Sequence, residues 1–507
     1  MPPLKQPASL ISSTARAGVK SMQRAINQIA KRSNDSTGNN EDWEALLSEI
    51  RHMANLISVF SLPTSLLQEI SNNTISIFNE LFDENEESSF VNSTTKERVD
   101  QIGDLLMKFI FNDALKTLDV TEFKAVYGKH YVISNFASVP KIKILRISGT
   151  TFLINSKLFK EKLENNIHYL CNLTVLELPV KCSDVIIKEI SNHCPNVETL
   201  IVKLSREVTD QSVPYLQKMK KLINLNVMST GMSTEGYRTV LESLPFIAVI
   251  YWDKVFIAQL LSGMTPEILK NKVKVNCKLD LPRVLVDKCP NVKELTFEES
   301  QTVNLYPLTE LKELKYLSIK VDKFPFVQLN SIFECTGENL DSLKFQYVRL
   351  FRIDLIIRYC VSLRKLVIKS STIFKVDNRD LFPEMPHFIN LKYLTLEKNT
   401  LSSSFCQIVK NYVNLKSLTL LNRRSSHGYF NHRYFENVIQ MGGYRDLEEF
   451  NFEGYLDLTM RTALRLIENC PKLRILSALA TWRGVSQNDI TTLKEEIVRN
   501  NYDLKVS

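Results

Sequence analysis

Apolar residues recur along most of this chain in one frame: an apolar position, two others, an apolar position, one other, and a third apolar position. Counting from the first position of each match, the frame stands at Leu115, Ile142, Leu173, Val197, Leu222, Ile247, Val292, Leu314, Leu340, Leu363, Leu391, Leu415, Leu447 and Leu473. Most of these are 22 to 28 residues apart; the longer intervals are 31 after Ile142, 45 after Ile247 and 32 after Leu415. The longest leaves room for one degenerate unit around Val273. The last two apolar positions alternate as in a strand with one buried face. The residues that follow change period: "VTDQSVPYLQKM" at 208–219 has helical spacing after a Thr-Asp start suited to a helix cap. One strand and one helix cannot bury their apolar faces alone, but stacked copies can. The pattern therefore predicts an α/β solenoid with a parallel sheet inside and helices outside.

Four frames carry a cysteine three residues ahead of the first apolar position: Cys194, Cys289, Cys360 and Cys470. "NHCPNVETLIV" at 192–202 and "DKCPNVKELTF" at 287–297 are the fullest copies. With Val208-Thr209-Asp210 after the first, these residues resemble the cysteine-containing leucine-rich-repeat family, over about 112–500. The resemblance implies a curved horseshoe; several units lack the Cys or the Thr-Asp. A cysteine locked to the frame is expected to behave as a small buried hydrophobe. Nine cysteines with no C-x-x-C pair then point to a reducing compartment, cytosol or nucleus.

The first 111 residues fall outside the repeat. Residues 1–34 hold Lys5, Arg16, Lys20, Arg24, Lys31 and Arg32 and no acid, so six of the formal +8 charges sit there. Residues 1–40 are expected to be a disordered basic tail, with a basic amphipathic helix or a mitochondrial-type presequence as the other readings. Residues 41–111 are expected to be helical. Within them Leu62, Pro63, Leu66, Leu67 and Ile70 form a Leu-Pro-x-x-Leu-Leu-x-x-Ile run in which proline starts a helix and the apolar residues share a face. This run resembles the adaptor-binding boxes of cullin–RING ubiquitin ligase substrate receptors, of F-box or VHL type. The later F-box Cys and Trp positions are missing, and Ile50 stands where the VHL type prefers Cys. If the resemblance holds, the partners implied are elongin C or a Skp-type adaptor, and a cullin. The alternative is a helical cap over the open end of the stack, which repeat arrays require.

Composition narrows the chemistry. Fourteen glycines in 507 residues, with no phosphate-binding glycine motif, argue against a nucleotide site. No apolar run is long enough to span a membrane. Seven scattered histidines form no metal-binding motif; His427 and His432, the one close pair, are best read as part of an exposed insertion. No cofactor and no catalytic residue is implied, so a non-enzymatic binding module is the stronger class. Its concave surface is expected to carry the residue between the last two apolar positions of each frame and those flanking them. No continuous basic stripe runs through these, which argues against nucleic acid as the partner. A local patch does form: Lys320, Lys344, Lys365 and Lys369 with Tyr316 and Tyr393, suited to an acidic protein segment. The insertion "NRRSSHGYFNHRYF" at 422–435 offers Arg423, Arg424, Tyr429 and Phe430, followed by Tyr434 and Phe435, as a second partner-facing feature.

Overall fold

The computed structural model describes Pro2 and Pro3, isolated helical positions between 44 and 75, parts of 101–147, and 156–298, 303–321, 326–348, 353–371, 390–397, 414–421, 431–453 and 458–507. Two compact units divide the chain, one of Pro7–Lys254 and one of Val255–Ser507 with Met1–Gln6.

In the first unit five parallel strands pair in chain order: β1 (Thr117–Asp119), β2 (Ile144–Arg146), β3 (Val175–Glu177), β4 (Thr199–Ile201) and β5 (Asn224–Asn226). The division between the units falls within β6 (Val249–Phe256). In the second unit the strands are β7 (Lys274–Lys278), β8 (Glu294–Glu298), β9 (Tyr316–Lys320), β10 (Ser342–Gln346) and β11 (Lys365–Lys369). They continue as β12 (Tyr393–Glu397), β13 (Ser417–Leu421), β14 (Glu449–Glu453), β15 (Ile475–Ser477) and β16 (Lys505–Val506), again parallel and in chain order. This is the architecture of an α/β leucine-rich-repeat solenoid, and all fourteen first positions of the frame are buried.

One hydrogen-bond pattern repeats along both units. In most repeats the carbonyl just after the first position accepts two successive amides of the next unit: Lys143 from Thr174 and Val175, Lys315 from Asp341 and Ser342, Lys392 from Lys416 and Ser417. Shared acceptance of this kind locks the register, since slipping a strand by one residue would turn its leucines outward. The same pattern locates the degenerate unit. The Val273 carbonyl accepts from Lys293 and Glu294, and Val275 and Cys277 stand opposite Leu295 and Phe297. Its frame therefore begins at Lys272, and a lysine with no exposed surface fills the place of the first leucine.

Behind the strands the chain turns through left-handed backbone at one recurring place, seven residues after the first position. Val180, Leu204, Ser229, Tyr347 and Ser370 all have φ between 48° and 74°. The turn aims each amide along the stack: Val180 donates to the Lys203 carbonyl, Leu204 to Met228, Tyr347 to Lys369 and Ser370 to Glu397. A β-branched residue such as Val180 adopts this conformation at a cost of about 1–2 kcal/mol, repaid only through the ladder it completes.

Several helices start on hydroxyl caps. Ser183 caps Asp184–His193, accepting from the Ile186 amide, and Ser233 caps Thr234–Ser243, accepting from Gly236. Thr209 caps a short 3-10 turn at Asp210–Ser212, which runs into one α-helical turn at Val213–Leu216. The "VTDQSVPYLQKM" run is thus a broken helix, because Pro214 supplies no amide to an α-helix already begun at Asp210.

The frame cysteines close helices and turn the chain beneath the next strand. Cys194, Cys289 and Cys470 are C-cap residues, and Cys360 donates its amide to the Ile356 carbonyl. All four are buried and free, and burial pushes each thiol up to about 12. The same position holds Leu170, Met219, Leu244, Leu311, Gly337 and Tyr444 in other units, so the requirement is a buried group rather than sulfur. Gly337 is needed where it stands, since an added Cβ would lie 2.7 Å from the Tyr359 carbonyl oxygen. In native protein a thiol reagent is expected to modify Cys171 and Cys335, which are exposed, and to spare the four frame cysteines until unfolding. Peptide mapping that found any of the four modified at the rate of Cys171 would contradict this packing.

The insertion gives way to structure at its end. Asn431 caps the helix His432–Gln440 through its side chain, and Phe435 is fully buried against Phe450 and Phe452, at ring-centroid distances of 5.4 and 5.6 Å. Phe435 is therefore core and not partner-facing, and His432 belongs to this helix rather than to an exposed insertion. Its Nδ1 lies 2.9 Å from the Thr462 hydroxyl and its Nε2 3.2 Å from Glu436. At the C-terminal end, the Trp482 indole donates to the Phe452 carbonyl, a capping box at Ser486 and Asp489 opens the helix Gln487–Arg499, and the Asp503 amide donates to the Pro3 carbonyl at 2.6 Å. Beyond Pro2 and Pro3, the tail of 1–40 lies outside the described residues. Among the described residues no helix is long and apolar enough to cross a membrane.

Candidate functional site

Strand alternation decides what the second unit shows to solvent. From β7 to β14 the second and fourth residues are buried and face the helices; the first, third and fifth form three outward rows. The first row reads Lys274, Glu294, Tyr316, Ser342, Lys365, Tyr393, Ser417 and Glu449. The middle row is nearly neutral except for Lys344, which lies between Ser318 and Val367. The last row reads Lys278, Glu298, Lys320, Gln346, Lys369, Glu397, Leu421 and Glu453.

This register brings the four lysines of the predicted patch together on β9, β10 and β11, with Tyr316 and Tyr393 flanking them. It also divides them. Lys320 stands opposite Glu298 with Nζ 2.8 Å from Oε1, and Lys369 stands opposite Glu397 at 2.5 Å. Lys274 and Glu294 make a third pair of this kind at 2.7 Å. Such half-exposed pairs contribute about 0–1 kcal/mol each, so their effect here is mainly to neutralise the ends of the patch. The side chains of Lys344 and Lys365 make no ion pair or hydrogen bond among the described residues.

Sequence reasoning missed two residues of this surface. Tyr347, 44% exposed, leaves β10 through left-handed backbone and, like Tyr393, 43% exposed, presents an aromatic ring to solvent. Ser342, only 8% exposed, sits in register between Tyr316 and Lys365, and its hydroxyl has no hydrogen-bond partner. Neither has a sequence signal, because a serine or a tyrosine after a strand is ordinary.

The first unit presents a different outward face. Arg146 bridges Asp119 and Glu177, its Nε 2.9 Å from Glu177 Oε1, and these hydrogen bonds and charges raise the guanidinium pKa. Ile144, Val175 and Ile201, half-buried, surround the bridge. This is a closed cluster of one guanidinium between two carboxylates, which leaves one negative charge over rather than a free cation.

Of the adaptor-box residues, Leu67 is helical and half-buried, and its carbonyl accepts from the Ser71 hydroxyl at 3.0 Å. Leu62, Pro63, Leu66 and Ile70 lie outside the described residues, as do Arg423, Arg424, Tyr429 and Phe430. Among the described residues no group of His, Cys, Asp and Glu could hold a metal ion.

No protein-family model matches the chain, and no curated protein does. Solved structures similar to it include leucine-rich-repeat chains of low identity. Rad7, from the yeast Rad7–Elc1 complex, is 13% identical over 90% of this chain and 96% of that one, with a TM-score of 0.41. TLR13, from its complex with ssRNA13, is 13% identical over 72% of this chain and 53% of that one, at 0.39, so this chain spans about half of it. An internalin, InlF from Listeria monocytogenes, is 13% identical over 80% and 88%, at 0.31.

Proposed function

We propose that this chain is a protein-recognition module presenting the outward strand face of residues 255–507 to a partner, and that residues 41–111 attach it to a cullin–RING ubiquitin ligase as a substrate receptor. The observation that carries the recognition reading is the β9–β12 surface. There, exposed tyrosines flank two lysines that have no ion-pair partner among the described residues, while the other lysines of the same strands are paired with glutamates. The ligase reading rests on the Leu-Pro-x-x-Leu-Leu-x-x-Ile run at 62–70, ahead of the first repeat. Cytosol and nucleus are the compartments this reading requires.

The test is recovery of the full chain with elongin C, with a Skp-type adaptor, or with neither. Leu62→Asp with Leu66→Asp would place charge on the shared apolar face, at a cost of several kcal/mol if that face is covered by an adaptor. Adaptor recovery is expected to vanish while the repeats keep their thermal transition. If the unmutated chain recovers neither adaptor, the ligase link is wrong and a leucine-rich-repeat scaffold remains. That second reading has an observation of its own: Ser71 and Thr74 are fully buried, as in a segment that caps the repeats.

A further inference from the structure

Register cancels part of the charge on the second unit's strand face, and on β9–β11 what it leaves over is localised. Lys274, Lys320 and Lys369 are each neutralised by a glutamate on the adjacent strand. No acidic residue stands in the outward rows of β9, β10 or β11. Lys344 and Lys365 are therefore the local surplus, on adjacent strands and two residues apart in register, since Ser342 faces Lys365 and Lys344 faces Val367.

The hydroxyl of Ser342 is a second, independent sign of a missing group. It is buried beside Lys365 and has no hydrogen-bond partner among the described residues, an arrangement that folded proteins avoid unless a ligand or solvent completes it. Lys365 is exposed and has a flexible side chain, so an arriving anion can draw its ammonium away and reach the hydroxyl beside it.

Building on the recognition reading, we infer that Lys344, Lys365 and Ser342 form a seat for a carboxylate-rich segment of a partner protein. One acidic side chain lies between the two ammonium groups and accepts from the Ser342 hydroxyl, while Tyr393 and Tyr347 pack against the segment on either side. Carboxylate is favoured over phosphate because the outward rows of β7–β14 contain no arginine, the side chain whose fork grips a phosphate at two points.

The test uses the full chain and three fluorescein-labelled peptides: alternating glutamate and serine, the same with glutamine for glutamate, and the glutamine version phosphorylated on its serines. The glutamate peptide is expected to bind by fluorescence anisotropy, more weakly as salt rises from about 50 to about 300 mM, and the glutamine peptide not to bind. Lys344→Gln with Lys365→Gln should weaken it by about tenfold or more, whereas Lys274→Gln with Lys320→Gln should change it by less than about twofold. Ser342→Ala should weaken binding about threefold to tenfold without lowering the unfolding midpoint, a split that a merely structural serine would not give. Equal binding of the glutamine peptide, unchanged affinity in the Lys344/Lys365 variant, or binding of the phosphorylated peptide alone would each overturn the seat. Adaptor recovery does not pass through these lysines, so a negative result with the adaptor still bound removes this inference and leaves the proposed function standing.

Discussion

Replacing Lys272 by methionine is expected to raise the stability of the second unit by about 3 kcal/mol at neutral pH, an unusual gain for removing a charged residue. Lys272 occupies the first leucine position of its repeat, has no exposed surface, and burial lowers its ammonium pKa from 10.5 to about 8. The nearby Cys289 pulls the other way, but its thiol is itself pushed up to about 12 and is neutral at pH 7. Because the folded pKa lies below the unfolded one, the unfolded chain binds more protons between about pH 8 and 10.5, and stability rises with pH across that window. The destabilisation is complete below about pH 8 and gone above about pH 10.5. Methionine keeps the length and apolar surface of the lysine stem without its charge. Denaturant midpoints of the two proteins should therefore differ most at pH 7 and converge by pH 10.5. Other groups titrate in the same range, so the difference between the proteins is the quantity to follow. A methionine variant that is less stable, by an amount independent of pH, would show that the ammonium is fully compensated where it lies.

That lysine also shows how far the sequence could be read. Fourteen units were visible because leucine-class residues at three fixed positions are improbable by chance, and every first position is buried. The fifteenth begins at Lys272, one residue before the expected Val273, because a lysine in the first place carries no apolar signal. The left-handed turns at Val180, Leu204 and Tyr347 left no trace either. Glycine or asparagine would have marked them, but here the hydrogen-bond ladder holds an ill-suited residue in place. The four lysines of the candidate site were legible as a group, since strand alternation assigns them all outward. Which of them are neutralised was not, because a cross-strand pair exists only once the register between two strands some 22 to 28 residues apart is fixed. Phe435 misled for a related reason. Read in line with Arg433 and Tyr434 it looks like part of an exposed loop, but helical period turns it inward onto Phe450 and Phe452.

Asp184→Ala is expected to destabilise the first unit by about 3 kcal/mol, the largest loss predicted for a residue outside its apolar core. Asp184 opens the helix Asp184–His193, where a negative charge already favours the helix N-terminus. Its carboxylate then reaches to the next repeat. Oδ1 accepts from the Thr209 amide at 2.8 Å and from the Ser212 hydroxyl, and Oδ2 accepts from the Thr209 hydroxyl at 2.6 Å. Thr209 is in turn the cap of its own helical turn, accepting from the Gln211 amide, so one carboxylate ties two neighbouring helix starts together. Removing it strands three donors in a half-buried seam, and a donor left without an acceptor costs more than the bond it made was worth. Asn at this position keeps one acceptor oxygen and should recover part of the loss. Asp210 makes a single comparable contact, to the Ser233 amide at 2.7 Å, so Asp210→Ala should cost only about 1 kcal/mol. Hydrogen exchange separates a local role from a global one. The Thr209 amide should lose protection in Asp184→Ala more than the β3 and β4 amides, which sit in the strand ladder of the same repeats. If the Thr209 amide keeps its protection and the denaturant midpoint does not move, the seam between these repeats is held by apolar packing alone, and the Thr-Asp signature marks only where helices start.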